Sequence, residues 1–219
     1  MARSGRATSS ISRRRQNART EGSEDYALRR AELIAIAGSL FREKGYARTT
    51  LADVGERAGL DRATIYYYVA SKKELFESSH EGVLDEQLRF VEGLRADREL
   101  ATREKLRAFI TYLTRSFDAS YPQASVYIQQ MHRVANDPSP WAREMHQKTR
   151  RMEAATRALV QDAVERGKLR SDIDVRIATK GLFGMLNWMS RWYAPGDALS
   201  ADEVAEAFCK MFFEGIQRR

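Results

Sequence analysis

Between Thr49 and Leu75, in the run TTLADVGERAGLDRATIYYYVASKKEL, several side chains are of the types that meet a base edge or a phosphate: Arg62, Ala63, Thr64, Tyr66, Tyr67, Tyr68 and Lys72. A guanidinium bonds guanine bidentately, a methyl or ring carbon touches a thymine methyl, and a phenol or ammonium reaches backbone phosphates. No nucleophile with an adjacent base stands among them. The chemistry implied is recognition of a polyanionic duplex.

Three helix starts would position these groups. Thr50 with Asp53, and Ser71 with Glu74, fit the Ser/Thr-x-x-Asp/Glu start signal, and Asp61 offers an N-cap between them. Leu51, Val54 and Ala58 fall at i, i+3 and i+7 on one apolar face, and Gly59 follows where the chain must change direction. Helices this short are marginal unless packed on one another, so a tri-helical unit is expected. At about 100° per residue, Ile65 and Val69 share the inner face of the helix after Asp61. Ala63, Thr64 and Tyr67 then face outward, Tyr67 most directly, with Tyr66 and Tyr68 on the flanks. The plain alternative for the three tyrosines is a partly buried aromatic cluster, which their place after the glycine turn argues against. Asp61 is a good cap but sets a carboxylate close to where phosphates would lie, and Arg62 is expected to compensate.

The stretch from about Tyr26 to Leu75 resembles the DNA-binding domain of the TetR family of transcriptional regulators. The residues that carry the likeness are Gly45 and Tyr46 at the end of an amphipathic helix, Thr49 and Thr50 at a helix start, and Ala58 and Gly59 at the turn. Thr64 and Tyr66 in the recognition helix, and Ser71, Lys72 and Leu75 at the next start, complete it. The resemblance implies DNA contact for Thr64, Tyr66, Tyr67 and Lys72 and packing for Ile65 and Val69; Thr49, Thr50, Arg62, Ala63 and Tyr68 join the candidate DNA-binding set. Asp61 departs from the Ser or Thr that often opens the family's recognition helix.

The elements around this reader are helical throughout. Ala27, Ile34, Ala37, Leu40 and Phe41 form a stripe from about Tyr26 to Lys44 that Gly45 ends. A connecting helix is expected from 71 to about 95 through Leu75, Phe76, Val83, Leu84, Leu88 and Val91. From Thr102 onward only helical periods occur, broken at Tyr121-Pro122, Asp137 to Pro140, Gly167, Ser171-Asp172 and Ala194 to Gly196. No strand alternation or long repeat is present, so the fold class is all-α. The expected domains are a disordered basic arm, 1–24, a helix-turn-helix domain, 25–75, and a ligand-binding and dimerisation domain, 76–219.

The charge is unevenly distributed. Of the formal +7 over 219 residues, residues 1–20 hold +6, from Arg3, Arg6, Arg13, Arg14, Arg15 and Arg19 with no acid. Such an arm either lies on DNA phosphates or a neighbouring minor groove, or is a solvated tail giving only salt-dependent affinity. No apolar run reaches membrane-spanning length and no signal peptide is visible, which implies a cytoplasmic protein. Cys209, the one cysteine, sits in an apolar helical pattern and is read as a buried structural thiol. His80, His132 and His146 are scattered, without HExxH, paired cysteines or a phosphate loop, so neither an enzyme nor a metal site is expected, and no cofactor.

In the last two helices, Ile177, Gly181, Leu182, Met185, Trp188, Met189 and Trp192 form one apolar band and Val204, Phe208, Met211, Phe212 and Ile216 another. The family resemblance implies a homodimer built on these helices, with Met185, Met189, Trp192, Phe208 and Phe212 as interface candidates, spacing two readers for a palindromic operator. The plain alternative is monomer core. Candidate effector-pocket residues are Phe109, Leu113, Phe117, Tyr127, Met131, Phe183 and Trp188, each also explicable as core. The segment Gly184 to Ala205 is similar to family members that respond to acyl-CoA thioesters, and Arg133, Arg143, Lys148, Arg150 and Arg151 are cations of a kind that binds phosphates. The expectation is a repressor released from its operator by an acyl-CoA or related catabolite. The alternatives are a drug-responsive repressor of an efflux pump, with Asp118 as the acidic group for a cation, or a constitutive DNA-binding protein without an effector.

Overall fold

Residues 24–216 are described in the structure, a computed structural model, and among them every regular element is an α-helix. The arm expected at 1–24 lies outside the described residues except for Glu24, which opens the first helix. The chain divides into two units between Glu81 and Gly82 rather than at 75/76.

The first unit contains α1 (Glu24–Lys44), α2 (Leu51–Arg57), α3 (Arg62–Tyr68) and α4 (Lys72–Ser78). Leu33, Ala37, Leu40 and Phe41 of α1 meet Val54, Ile65, Val69, Leu75 and Phe76 in a small core closed by Tyr46. Cores this small stabilise weakly, so the caps and polar ties described below carry a larger share. Gly55 is the close-approach position. A Cβ there would lie 3.1 Å from the Leu60 carbonyl oxygen and 3.6 Å from Ile65 Cδ1, so a larger residue would press on the turn between α2 and α3.

The connecting helix expected from 71 to about 95 is two helices. The first, α4, ends at Ser78, and a new helix, α5 (Val83–Ala96), starts after Gly82, whose φ of +83° is left-handed and favours glycine. Helical periodicity runs through the break because Leu75 and Phe76 face one core and Leu88 and Val91 another. Gly82 was the signal that the stripe hid.

In the second unit α5 is followed by α6 (Thr102–Ala119), α7 (Gln123–Ala135), α8 (Pro140–Glu165), α9 (Val175–Trp192) and α10 (Ala201–Ile216). A continuous apolar core joins α5, α6, α8, α9 and α10, with Phe109, Phe213, Leu106, Ile110, Leu182 and Met189 almost wholly buried. Cys209 lies in this core, and burial pushes its thiol up to about 11, which fits an inert structural thiol. No helix among the described residues is long and apolar enough to cross a membrane.

Candidate nucleic-acid interface

Each expected cap forms. Thr50 Oγ1 accepts the Asp53 amide at 3.1 Å while Asp53 Oδ2 accepts the Thr50 amide at 2.7 Å, a reciprocal capping box at the start of α2. The Thr50 hydroxyl and the Lys44 ammonium, 2.9 Å away, hold the Asp53 carboxyl well below the usual carboxylate range. Asp61 Oδ1 accepts the Thr64 amide at 2.7 Å, and this bond lowers its pKa and keeps it ionised at the start of α3. Ser71 accepts the Glu74 amide at 3.1 Å, and Glu74 reaches back to the Ala70 amide at 2.8 Å.

Polar ties reach across the unit to fix these short helices. Arg29 donates to the Ala58 carbonyl at 2.8 Å, ending α2, and Arg30 donates to Ser78 at 2.6 Å and pairs with Glu74 at 3.4 Å, anchoring α4 on α1. Outside these ties, Arg62 and Ala63 stand exposed at the start of α3 with Thr64 half-buried behind them. Arg62 has no hydrogen bond or ion pair among the described residues. The exposed edge thus offers a guanidinium, a methyl and a hydroxyl on a capped helix, a set that suits a major groove.

Two of the expected contacts, Tyr67 and Thr49, are corrected, and a third, Lys72, is engaged within the fold. The most exposed of the tyrosines is Tyr66, at 37%, whereas Tyr67 is half-buried. The ring of Tyr26 on α1 lies edge-on to Tyr67 at 5.6 Å and stacks on Tyr68 at 5.2 Å, and its hydroxyl donates to the Tyr68 carbonyl at 3.2 Å. The angular reading took Ile65 and Val69 as one inner helical face; Val69 is extended and ends the helix, and α1 covers the flank of α3 that holds Tyr67 and Tyr68. Thr49 is fully buried, its hydroxyl lying 3.0 Å from the Gly45 and 3.2 Å from the Leu40 carbonyl oxygens. Lys72 directs its ammonium to three carbonyls, those of Tyr46, Ala47 and Thr49, at 2.7, 2.9 and 2.7 Å, and lies over the Tyr46 ring. It is a staple on the turn before α2. Gly55, Arg29, Arg30 and Tyr26 went unrecognised in the sequence; of these only Gly55, a poor helix former inside a capped helix, left a local signal.

Residues 33–78 match the profile of bacterial regulatory proteins of the TetR family, and residues 99–216 match that of the tetracyclin repressor-like C-terminal domain. The chain belongs to the TetR family. It is therefore a DNA-binding transcriptional regulator and not an enzyme. It is 30% identical to the transcriptional repressor KstR2 of Rhodococcus jostii RHA1 over 86% of this chain and 91% of that protein. KstR2 of Mycobacterium tuberculosis H37Rv is 26% identical over 87% of this chain and 94% of its own length. In fold it matches the solved ketosteroid transcriptional regulator KstR2 of M. tuberculosis with a TM-score of 0.79 at 24% identity, covering 87% of this chain and 96% of that one. It also matches AibR, solved with isovaleryl coenzyme A and operator DNA, with a TM-score of 0.64 at 18% identity, covering 84% and 98%.

The TetR dimer candidates divide sharply. Met189, Phe208 and Phe212 are buried in the protomer's own core and Met185 is half-buried, whereas Ile177 is 68% exposed, Trp188 64% and Met211 53%. Trp192 is also exposed. Met189, Phe208 and Phe212 are thus corrected from interface to core. Ile177, Gly181, Gly184 and Trp188 follow i, i+4, i+7 and i+11, and a Cβ on either glycine would meet nothing within 4 Å, so one edge of α9 is apolar and uncovered. Both faces of this helix are apolar, and the sequence pattern alone did not say which was inside.

Among the pocket candidates, Phe109 and Phe117 are buried, and Leu113, Tyr127, Met131 and Phe183 are half-buried. Phe109 meets Phe183 edge-on at 6.1 Å. Trp188 points away from this cluster to the surface, which removes it from the pocket set. The tyrosine hydroxyl of Tyr193 donates to Asp118 at 2.5 Å, and burial with that partner pushes the phenol up to about 12. Asp118 is thereby engaged rather than presented to a cation. Of the cations weighed for phosphates, Lys148 pairs with Asp85 at 2.7 Å and Glu144 at 2.6 Å, and Arg151 pairs with Glu92 at 2.8 Å. Those two hold α8 to α5, and Lys148 also braces α8 on itself.

Proposed function

We propose that this chain is a cytoplasmic, ligand-responsive repressor that binds a palindromic operator as a homodimer and is released by a small-molecule effector, an acyl-CoA thioester or related catabolite. The observation that carries this reading is that the likeness to the KstR2 repressors runs through the effector half as well as the reader. Those relatives include a ketosteroid transcriptional regulator, which favours a thioester of a steroid-derived acid over a cationic drug. The engagement of Asp118 by Tyr193 points the same way. The uncovered apolar edge of α9 supplies the surface that a second copy would cover.

In this mechanism the effector binds better to a dimer whose readers are misaligned, and operator affinity falls by the coupling energy, typically about 1–3 kcal/mol. The test selects an operator from random duplexes and titrates the complex with steroid-acid, fatty and aromatic acyl-CoAs and with cationic drugs. Release by a thioester is the expected result. Release by the drugs alone, or by nothing tried, overturns it.

A further inference from the structure

The outer face of α8 carries two arginines that the fold does not use. Arg150 and Arg157 are exposed and have no hydrogen bond or ion pair among the described residues. Their charged neighbours on α8 are committed elsewhere: Lys148 and Arg151 to α5, and Glu153 to Lys180 of α9 at 3.1 Å. Glu153 is within helical reach of both arginines and faces Lys180 instead, while His146, Ala154 and Gln161 occupy the other places four residues away. A separation of seven residues sets the two arginines on one face, about 10 Å apart along the axis.

Between this face and the start of α9 runs an open groove of about 480 Å³. Ala154, Ala158 and Val175 give it a wall of small side chains against which a flat ring can lie, and Arg157, Gln161 and Arg176 give it a polar rim. Arg150 stands one turn beyond Ala154. At the other end the Arg176 guanidinium, bonded to Asp174 at 2.5 Å, holds that carboxyl down to about 2, so this end is an ion pair with no net charge and a carboxylate acceptor. The groove is therefore polarised, positive at Arg150 and Arg157 and hydrogen-bonding at Gln161 and Asp174. Arg176 lies about 100° round α9 from Ile177, so the groove is beside the uncovered apolar edge rather than on it.

A ligand that matches this arrangement has phosphates at one end, a flat ring in the middle and hydrogen-bond donors at the other. Guanidinia bond phosphate oxygens in pairs and also stack on aromatic faces, which a compact ammonium does less well. We propose that this groove holds a phosphorylated adenine nucleotide, with Arg150 and Arg157 on its phosphates, the alanines under its base, and Gln161 and Asp174 at its exocyclic amine. Two molecules carry that chemistry, a free adenine nucleotide and the nucleotide end of an acyl-CoA. In the second case the proposal rests on the effector reading given above.

The experiment titrates the full-length protein by calorimetry with ATP, coenzyme A and inorganic pyrophosphate, at low and at physiological salt. Three variants are compared: Arg150→Gln combined with Arg157→Gln, Ala154→Phe, which fills the wall, and Arg151→Gln, which removes a cation of the same helix that is paired with Glu92. All four positions are exposed, so thermal melts should stay close to wild type. The double variant should lose about 10-fold or more in nucleotide affinity, Ala154→Phe should lose it too, and Arg151→Gln should keep it. Binding of coenzyme A without ATP assigns the groove to the thioester, and comparable binding of ATP assigns it to a free nucleotide. The proposal is overturned if the wild type binds neither, if the double variant keeps wild-type affinity, or if pyrophosphate binds as tightly as the nucleotides, which would make the arginines a plain anion patch. If no acyl-CoA releases the operator while ATP still binds the groove, the effector reading fails and the site stands. If a thioester releases the operator and neither nucleotide probe depends on Arg150 and Arg157, only this proposal fails.

Discussion

The two units of this chain are held together by different means. In residues 24–81 polar groups do much of the holding: capping carboxylates and hydroxyls fix helix starts, and Arg29 and Lys72 reach carbonyls far away in sequence. In residues 82–216 the helices are long and the core is a continuous apolar cluster through α5, α6, α8, α9 and α10. The contrast teaches that a small reader can present a defined edge without a large core, provided each short helix has its ends satisfied.

The largest effect should come from the apolar side of the contrast. Phe109, wholly buried at the centre of α6, should cost about 3–5 kcal/mol of stability as Phe109→Ala, because the cavity cannot collapse between α6 and its neighbours. Two-step thermal unfolding would show the second transition lowered and the first in place. A single transition that moves as a whole would break the comparison, since the units would then melt as one. Next comes the one place where the reader depends on close packing. Gly55→Val sets a Cβ against the Leu60 carbonyl and Ile65 and should cost about 1–3 kcal/mol. Operator binding should be lost with it, because α3 must shift, while the second transition stays where it was.

Asp61 sharpens the comparison with a smaller effect and two opposed consequences. Asp61→Ala removes the acceptor for the Thr64 amide and should lower the melting of the first unit by less than Gly55→Val does. Asp61→Ser keeps a cap and removes the charge, so stability should hold and DNA affinity rise. The folded pKa of Asp61 is depressed, so its contribution is present above the usual carboxylate pKa and disappears as pH falls through the lower folded value. A wild-type reader should lose stability in that acid window relative to Asp61→Ser, and equal acid profiles would show that the cap charge is immaterial.

What was legible in the sequence follows the same divide. The caps at Thr50, Asp61 and Ser71 were readable because each involves partners three or four residues apart, and the all-helical class because apolar periods are local. Tyr67 was misplaced because its cover, Tyr26, is 41 positions earlier, and no local angle reports it. The last helices failed differently. An apolar band as broad as Ile177 to Trp192 does not report which of its edges lies inside, so Met189 went to the interface and Trp188 to the pocket, when the structure has Met189 inside and Trp188 out. Gly181 and Gly184 on the Trp188 edge were the available hint.

Lys72 tests most directly whether a family's DNA-contacting position keeps that role in this reader. A lysine on a phosphate and a lysine on three carbonyls both weaken binding when lost, so affinity alone says nothing. Salt dependence separates them. A phosphate contact removed by Lys72→Met should reduce the slope of log affinity against log salt by about 1. A staple should leave the slope unchanged, because no counterion is released, while lowering the first melting transition as the carbonyls of Tyr46, Ala47 and Thr49 lose their donor. Part of the affinity should then return when the complex is measured at lower temperature, where the turn before α2 is again ordered. A shallower slope with an unmoved melting transition would return Lys72 to the DNA.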